Sequence, residues 1–285
     1  DRRLYYWQIR LTDRILKAEF RGSMIRSTIQ NASMQTVQFS HLESDYMDSS
    51  TNKPRSHISQ QFNTDLEELK KHMLEMGGMV EKQFSGAMQA LIGADSTLGE
   101  RIAADDDLLD QMEMKIDEEC NLIIARRQPA ARDLRMVLAI VKAIRDLERI
   151  GDESSKIAKA AIKMSEQGEF PEGIVDLRSL GDRVQHMVNS ALDSFARYDA
   201  EAAIAVVQED KSVDNDYAIA MRSMVTFMME DPSTISKVLN VLWALRAMER
   251  VGDHAKNICE HVIYMVAGTD VRHLNPNKMS AKINA

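Results

Sequence analysis

The chain has 285 residues, of which 44% are hydrophobic and only 5% aromatic, and it carries a net charge of −8. This length allows one large core or two small ones. The acidic balance argues against nucleic-acid binding as the main function, because nucleic-acid-binding domains usually present a basic face. The two cysteines exclude a disulfide framework and a thiolate metal site and favour a reducing cytoplasm.

Residues 1–56 form an N-terminal extension that we expect to be disordered. Arginines are scattered through Asp1 to Tyr46 without the continuous apolar stretch of an export signal, and Ser27 to Ser50 is polar and aperiodic. A membrane-surface helix over Leu4 to Phe20 is the alternative, and Met47 is an alternative start of the natural protein. Apolar stretches along the chain fall short of the roughly 20 residues needed to cross a bilayer, which predicts a soluble protein.

Three consecutive helices are predicted from His57 onward, where apolar residues recur every three or four positions. Many methionines and few prolines, glycines and aromatics also favour long helices. A turn at Ala94-Asp95-Ser96 separates the first helix from a second, unbroken one over Thr97 to Arg126. Pro129 begins the third helix. The glycine- and proline-containing segment 168–173 is the clearest linker.

The same order of elements returns after the linker. The segment Leu147–Asp152 matches Met248–Asp253, Asp106–Asp110 matches Asp210–Asp214, and Pro129 matches Pro232. The second set of helices is expected at 174–198, 200–229 and 235–266. These matches predict an all-α fold of two tandem antiparallel three-helix bundles related by an internal repeat. The predicted domains are the extension (1–56), the first bundle (57–167), the second bundle (174–270) and a C-terminal tail (271–285).

Four pairs of acidic residues spaced four apart are the main candidate for a functional site. The pairs are Asp106 with Asp110, Glu148 with Asp152, Asp210 with Asp214, and Glu249 with Asp253. Like charges at this spacing destabilise a helix by a few tenths of a kcal/mol. In each copy the two pairs lie at nearly equal sequence distances before and after the proline turn, so an antiparallel hairpin brings them to one level. We therefore expect four carboxylates to converge in each bundle and to need a cation.

Carboxylate oxygens suit hard or borderline ions, namely Mg²⁺, Mn²⁺, Ca²⁺, iron or, with lower preference, Zn²⁺. One ion or a small cluster fits the spacing. The opposing interpretation is that each carboxylate pairs with a neighbouring cation such as Arg149, Arg250 or Lys156. The repetition of the pairs in both copies favours the metal.

Glycines, histidines and methionines accompany the acidic pairs. Gly151 and Gly252 lie inside the third-helix pairs, although glycine costs a helix interior about 1 kcal/mol relative to alanine. Close packing or room for an ion would each explain them. Three histidines could offer further ligands, namely His186, His254 and His261. A lone histidine on a helix is more often a surface or hydrogen-bonded side chain than a metal ligand. Methionines expected in the core are Met112, Met221, Met224, Met228 and Met229.

The chain resembles the PhoU family, accessory and regulatory proteins of the phosphate-specific transport system, from about Ile58 to Asp270. The segments that carry the resemblance are Met76–Glu81 (MGGMVE), Ile116–Cys120 (IDEEC), Arg127–Ala130 (RQPA) and the two Glu-Arg-Ile/Val-Gly-Asp segments. The resemblance implies two three-helix bundles. It also implies surface metal clusters on a motif written E(D)xxxD, which falls on the four acidic pairs. Residues Asp1 to Tyr46 have no counterpart in the family.

The function that the resemblance implies is negative control. Such proteins restrain phosphate uptake and help to silence phosphate-starvation genes when phosphate is plentiful. They act by contact with the ATPase subunit of the phosphate ABC transporter and with a phosphate sensor histidine kinase. The expected location is cytoplasmic, peripheral at the inner membrane through these partners.

Two alternatives remain open. A carboxylate-bridged di-metal enzyme is also built in helical bundles, but it typically uses a Glu-x-x-His spacing that neither repeat contains. A plain helical scaffold with solvated carboxylates would bind no metal. An exposed bundle face favours a homodimer.

Overall fold

The computed structural model describes residues 54–167, 176–272, 274 and 276–283, and its helices confirm the all-α prediction. Contacts divide the chain at Pro54 into two units, and the described helices lie in the second, Arg55–Ala285, which is compact. The first described helix begins at Pro54, inside the predicted extension. The rest of that extension, and the predicted linker at 168–173, lie outside the described residues.

Each half of the second unit contains long helices in the same order. In the first half they are α1 (Pro54–Gly93), α2 (Ser96–Ala104), α3 (Asp106–Arg127) and α4 (Ala131–Gln167). In the second half they are α5 (Leu177–Arg197), α6 (Ala200–Glu230), a 3₁₀ turn (Pro232–Thr234) and α7 (Ile235–Ala267). A last helix, α8 (Pro276–Ile283), packs against α6 and α7. Helices α2 and α3 together form one arm, which is the counterpart of α6 in the second half. Each half is therefore a three-helix bundle, as the repeat predicts.

The arm expected as one helix from Thr97 to Arg126 is broken at Asp105, so that part of the prediction is wrong. The Asp105 N–H reaches the Ile102 carbonyl at 3.4 Å, and the Leu108 N–H reaches the Asp105 carbonyl at 3.3 Å. These bonds tighten the chain between α2 and α3. Three aspartates follow one another from Asp105, and a new helix start places them where the helix dipole favours negative charge. The corresponding part of α6 contains Lys211 and continues unbroken.

The start of the third helix also differs from the prediction. Pro129 lies in the connection, and α4 begins at Ala131. Gln128 ends α3 in the left-handed conformation, with a φ of 49° and its N–H bonded to the Ile124 carbonyl. The chain needs the next two residues to turn before it can re-enter a helix.

The two bundles pack through pairs of antiparallel helices. A Cβ added to Gly77 in α1 would lie 2.5 Å from Leu192 Cδ2 in α5, and one added to Gly181 in α5 would overlap the end of Met88 in α1. Gly77 and Gly181, like Met88 and Leu192, occupy equivalent positions of the repeat. Each bundle therefore inserts a side chain over a glycine of the other. The second pair of helices is α4 and α7, which also make an extensive contact.

No helix in the described ranges has an apolar stretch long enough to span a bilayer.

Neighbouring glycines in α1 should respond oppositely to the same substitution. Gly78→Ala adds a methyl group where no atom lies within 4 Å, so it should stabilise the protein by about 0.5–1 kcal/mol through helix propensity. Gly77→Ala should destabilise it, because Leu192 must move. Urea denaturation of both variants tests this, and equal shifts of the midpoint would contradict the described bundle contact.

Candidate metal centres

The predicted carboxylates of the second bundle are brought together between α6 and α7. Burial raises the pKa of Glu249, and the charges of Asp253, Asp214 and Asp210 raise it further against the opposing effect of Arg246. Burial likewise raises the pKa of Asp253, with Asp210 and Asp214 adding to the effect. All four predicted residues thus contribute to one local field, in which the surrounding negative charge disfavours further ionisation.

Two cations partly neutralise this group. Lys256 donates to Asp210 at 2.6 Å, and Arg246 donates to Glu249 at 2.7 Å. The second oxygen of Glu249, Oε2, is buried and has no hydrogen-bond partner among the described residues. Asp253 makes neither a hydrogen bond nor an ion pair within the described ranges. A carboxylate oxygen that is withdrawn from water and left without a donor is a position that a cation would satisfy.

The first bundle gathers a similar group, in which one arginine bridges the α4 pair. Burial raises the pKa of Glu148, as do Asp152, Glu113 and Asp110, while Arg149 lowers it. Arg149 lies 3.2 Å from Glu148 and 3.1 Å from Asp152, so it bridges both members of the α4 pair. Asp106 is the first residue of α3, but its side chain lies outside the described part of the structure.

Glu113 is an acidic residue of this group that the repeated pairs do not include. It follows Asp110 by three residues on α3, and residues three apart also share a helix face. Burial raises its pKa, and Asp110 is among the neighbouring charges that add to this shift. Tyr217 stands at the equivalent position of the second copy, so comparison of the repeats gives no signal for Glu113.

The repeat-equivalent arginines have different partners. Arg149 covers the acidic pair of its own bundle, whereas Arg250 leaves its own pair and contacts Glu153 of the first bundle at 3.2 Å. The interpretation that carboxylates pair with neighbouring cations therefore holds in part in both bundles, since Arg246 and Lys256 contact Glu249 and Asp210 of the second. What distinguishes the second bundle is the buried Glu249 Oε2, which has no hydrogen-bond partner among the described residues.

In the part of the chain that the structure describes, no three His, Cys, Asp or Glu side chains form a group that could hold a metal ion as they stand. Ion binding would therefore require the acidic side chains to turn toward a common point. The donor set fits this requirement, because it consists of carboxylate oxygens and includes the unpartnered Glu249 Oε2.

The two motif glycines have different surroundings. A Cβ on Gly151 would lie 2.6 Å from Leu109 Cδ1 and 3.1 Å from Gln83 Oε1. A Cβ on Gly252 would meet its nearest atom, Val213 Cγ1, at 3.5 Å, an ordinary contact. Close packing against α3 therefore explains Gly151, whereas space does not require a glycine at position 252.

His254 and His261 are used between the bundles. Their ring nitrogens lie 2.9 and 3.0 Å from the two oxygens of Asp146, and Asn257 donates to the same carboxylate at 3.0 Å. Burial acts to raise the pKa of Asp146, but these bonds outweigh burial and lower it. Sequence comparison of the repeats had no signal for this link, because Ala247 stands at the position equivalent to Asp146.

The prediction that the methionine-rich face is core is wrong at one end. Met224 is fully buried, but Met229 is 79% exposed. Met229 lies in the last turn of α6, next to the hairpin tip, where no described helix covers it. Helical periodicity identifies a face but does not reveal where the covering helices end.

Comparisons with known proteins agree with these features. The model of the PhoU domain matches residues 73–161 and 177–262, one match in each bundle. A phosphate-specific transport system accessory protein PhoU homolog from Pseudomonas aeruginosa is 56% identical over 227 residues, covering 80% of this chain and 94% of that protein.

Two solved structures resemble the fold closely. The crystal structure of PhoU from Pseudomonas aeruginosa has a TM-score of 0.71 and 57% identity, covering 73% of this chain and all of the other. The crystal structure of the phosphate transport system regulatory protein PhoU from Streptococcus pneumoniae has a TM-score of 0.68 and 30% identity, covering 74% and 99% of the two chains.

The raised pKa of Asp253 predicts a pH-dependent stability. Between the ordinary value of 3.8 and the raised one, the folded protein binds more protons than the unfolded protein, so this group destabilises the fold at pH 7 and less so as the pH falls. In EDTA, Asp253→Asn should therefore raise the melting temperature at pH 7 more than at about pH 4.5. The exposed Glu230→Gln is the control for charge removal. An equal effect of Asp253→Asn at both pH values would contradict the described electrostatics.

Proposed function

Because the chain belongs to the PhoU family, we propose that it acts in phosphate transport as a negative regulator of phosphate uptake and of phosphate-starvation genes. The match of a PhoU domain to each bundle is the observation that supports this proposal. The Streptococcus pneumoniae relative is described as a phosphate transport system regulatory protein, which agrees with regulation as the role. We assign no catalytic step to the chain.

The proposed partners are the ATPase subunit of the phosphate ABC transporter and the phosphate sensor histidine kinase. Both contacts would place the protein in the cytoplasm, at the inner face of the membrane. The long helices suit this role, since their outer faces offer extended surfaces on which a partner helix or domain packs.

The proposed metal sites use the converging carboxylates, with iron, Mn, Mg or Zn as the candidate ions. In the second bundle, Asp210, Asp214, Glu249 and Asp253 would supply oxygen ligands, and Lys256 would release Asp210. In the first bundle the ligands would be Asp106, Asp110, Glu148 and Asp152, with Glu113 adjacent. A bound cation would offset the repulsion that raises the pKa of Glu249 and Asp253, and so stabilise the hairpin of each bundle.

Metal content should respond to substitutions bundle by bundle. Asp210→Asn with Asp214→Asn should remove the metal of the second bundle and leave the first nearly intact, and Asp106→Asn with Asp110→Asn should do the reverse. Elemental analysis of protein purified without chelator measures the metal content. The decrease in melting temperature on adding EDTA gives a second readout. Equal loss from both bundles in either variant would contradict two independent sites.

Deletion of the gene tests the regulatory role. A strain without this protein should express phosphate-starvation genes in high phosphate, and a plasmid copy should restore repression. Normal repression in the deletion strain would overturn the proposed function. Complementation by the two carboxylate double variants then separates regulation from metal binding. If a metal-free variant still represses these genes, the metal has only a structural role.

A further inference from the structure

The outer side of the α6–α7 hairpin exposes more apolar surface than a solvent-facing helix pair needs. Its exposed apolar side chains, which together define the α6–α7 face, are Val225 (47%), Met229 (79%), Ile235 (42%), Leu239 (45%) and Trp243 (70%). The α7 members follow one another every four residues, as do the two on α6, so each helix contributes one stripe. An exposed tryptophan and an exposed methionine in such a stripe are typical of binding surfaces.

The two stripes lie on the same side of the hairpin. The guanidinium group of Arg246 lies over the ring of Tyr217, 6.0 Å from its centre. Arg246 is three residues after Trp243, and Tyr217 is eight residues before Val225, so each extends its own stripe. This contact connects the two stripes on one side of the hairpin.

The first bundle shows that the fold does not require this surface. Ile235 and Leu239 correspond to Leu134 and Leu138, but the residues equivalent to Val225, Met229 and Trp243 are Asn121, Ala125 and Lys142. The same hairpin therefore packs in the first bundle with polar or small side chains at these three positions. Core packing does not explain Met229 and Trp243, which are 79% and 70% exposed, and it covers only about half of the other three side chains.

An arginine flanks the apolar residues on α6, at the end away from the acidic hairpin tip. Arg222 is exposed, lies one turn before Val225 and makes no ion pair with any described residue. In the first bundle the equivalent position is Glu118, which is acidic. An unpaired arginine along apolar stripes favours a ligand that carries carboxylates beside its apolar residues.

We propose that the α6–α7 face binds an amphipathic helix of a partner protein, with apolar residues along one side and acidic residues flanking them. A helix fits a groove between two antiparallel helices, and its apolar residues would cover Trp243, Leu239 and Met229.

The other two occupants fit less well. The exposed apolar area of the face is on the order of 500 Å², below the roughly 800 Å² that each partner buries in a standard stable interface, so a permanent dimer through this face alone is disfavoured. A lipid surface is disfavoured because anionic membranes attract clusters of several basic residues. Here the unpaired cation beside the apolar stripes is a single arginine, Arg222, rather than a cluster, and the whole chain carries a net charge of −8.

Tryptophan fluorescence provides a direct test. The chain has two tryptophans, so Trp7→Phe in the full chain leaves Trp243 as the single emitter. The probe is a synthetic peptide of about 18 residues with leucines on one helical face and glutamates beside them. It should shift the emission of Trp243 to shorter wavelength in a saturable manner. The same peptide with lysines in place of glutamates should bind at least about tenfold more weakly.

Two methionine substitutions form a matched pair. Met229→Glu places a charge on the α6–α7 face and should abolish binding of the glutamate peptide. Met114→Glu changes a methionine of the first bundle that is 63% exposed and should leave binding unchanged. Both sites are exposed, so circular dichroism should report folded protein in each case. Arg222→Glu should reverse the preference, so that the lysine peptide binds more tightly than the glutamate peptide.

Four results would overturn the proposal. They are equal binding of the two peptides, binding that survives Met229→Glu, a shift caused only by vesicles of phosphatidylglycerol and phosphatidylethanolamine, and a shift that follows protein concentration alone, which marks self-association. The peptide assay contains no component of phosphate transport, so it can fail or succeed independently of the regulatory function proposed above.

Discussion

The antiparallel packing of α4 against α7 is the contact on which the rest of the described structure depends. It buries two carboxylates, Asp146 and Glu153, each of which is bonded by residues of the other bundle. Removing such a partner while the bundles stay packed would leave charge in a largely dry interface, which is strongly destabilising, so these side chains fix how the two bundles meet. The same two helices carry the Glu-Arg-Ile/Val-Gly-Asp segments, and their packing therefore also sets the position of both acidic groups.

The repeat duplicates the scaffold but not the use of each position. Arg149 neutralises the acids of its own bundle, whereas Arg250 is engaged with Glu153 across the interface. The second acidic group consequently depends on Lys256 and Arg246 and retains a buried oxygen without a donor. A single interface needs only one set of bridging side chains, so once one copy supplies them the equivalent residues of the other copy are free to serve elsewhere.

Both acidic groups work against the stability of the folded chain. Burial and mutual repulsion raise the pKa of Glu148 and Glu249, which means that ionisation at neutral pH is less favourable in the folded protein than in water. The cores of the bundles are otherwise regular, with Leu, Ile, Val, Met and Ala closely packed. Such a local departure from favourable design in a regular scaffold is typical of functional positions, and it accords with a bound cation as its explanation.

The sequence alone determined the all-α class, the repeat, the two bundles and the positions of the acidic pairs. Each of these follows from short-range periodicity and from the recurrence of Glu148–Asp152 as Glu249–Asp253. Comparison of the repeats missed Glu113, because Tyr217 stands at its equivalent position in the second copy. The break at Asp105 was missed because an apolar pattern continues through it, while the local bonding depends on three successive aspartates.

Tertiary structure alone decided which groups meet across the bundles. The links from His254 and His261 to Asp146, the position of Arg250 on Glu153, and the exposure of Met229 and Trp243 all depend on how one bundle lies against the other. Helical periodicity reports which residues share a face of one helix. Which neighbouring helix covers that face, and where the cover ends, is set by packing between residues about 100 positions apart, and a single sequence carries no local signal of it.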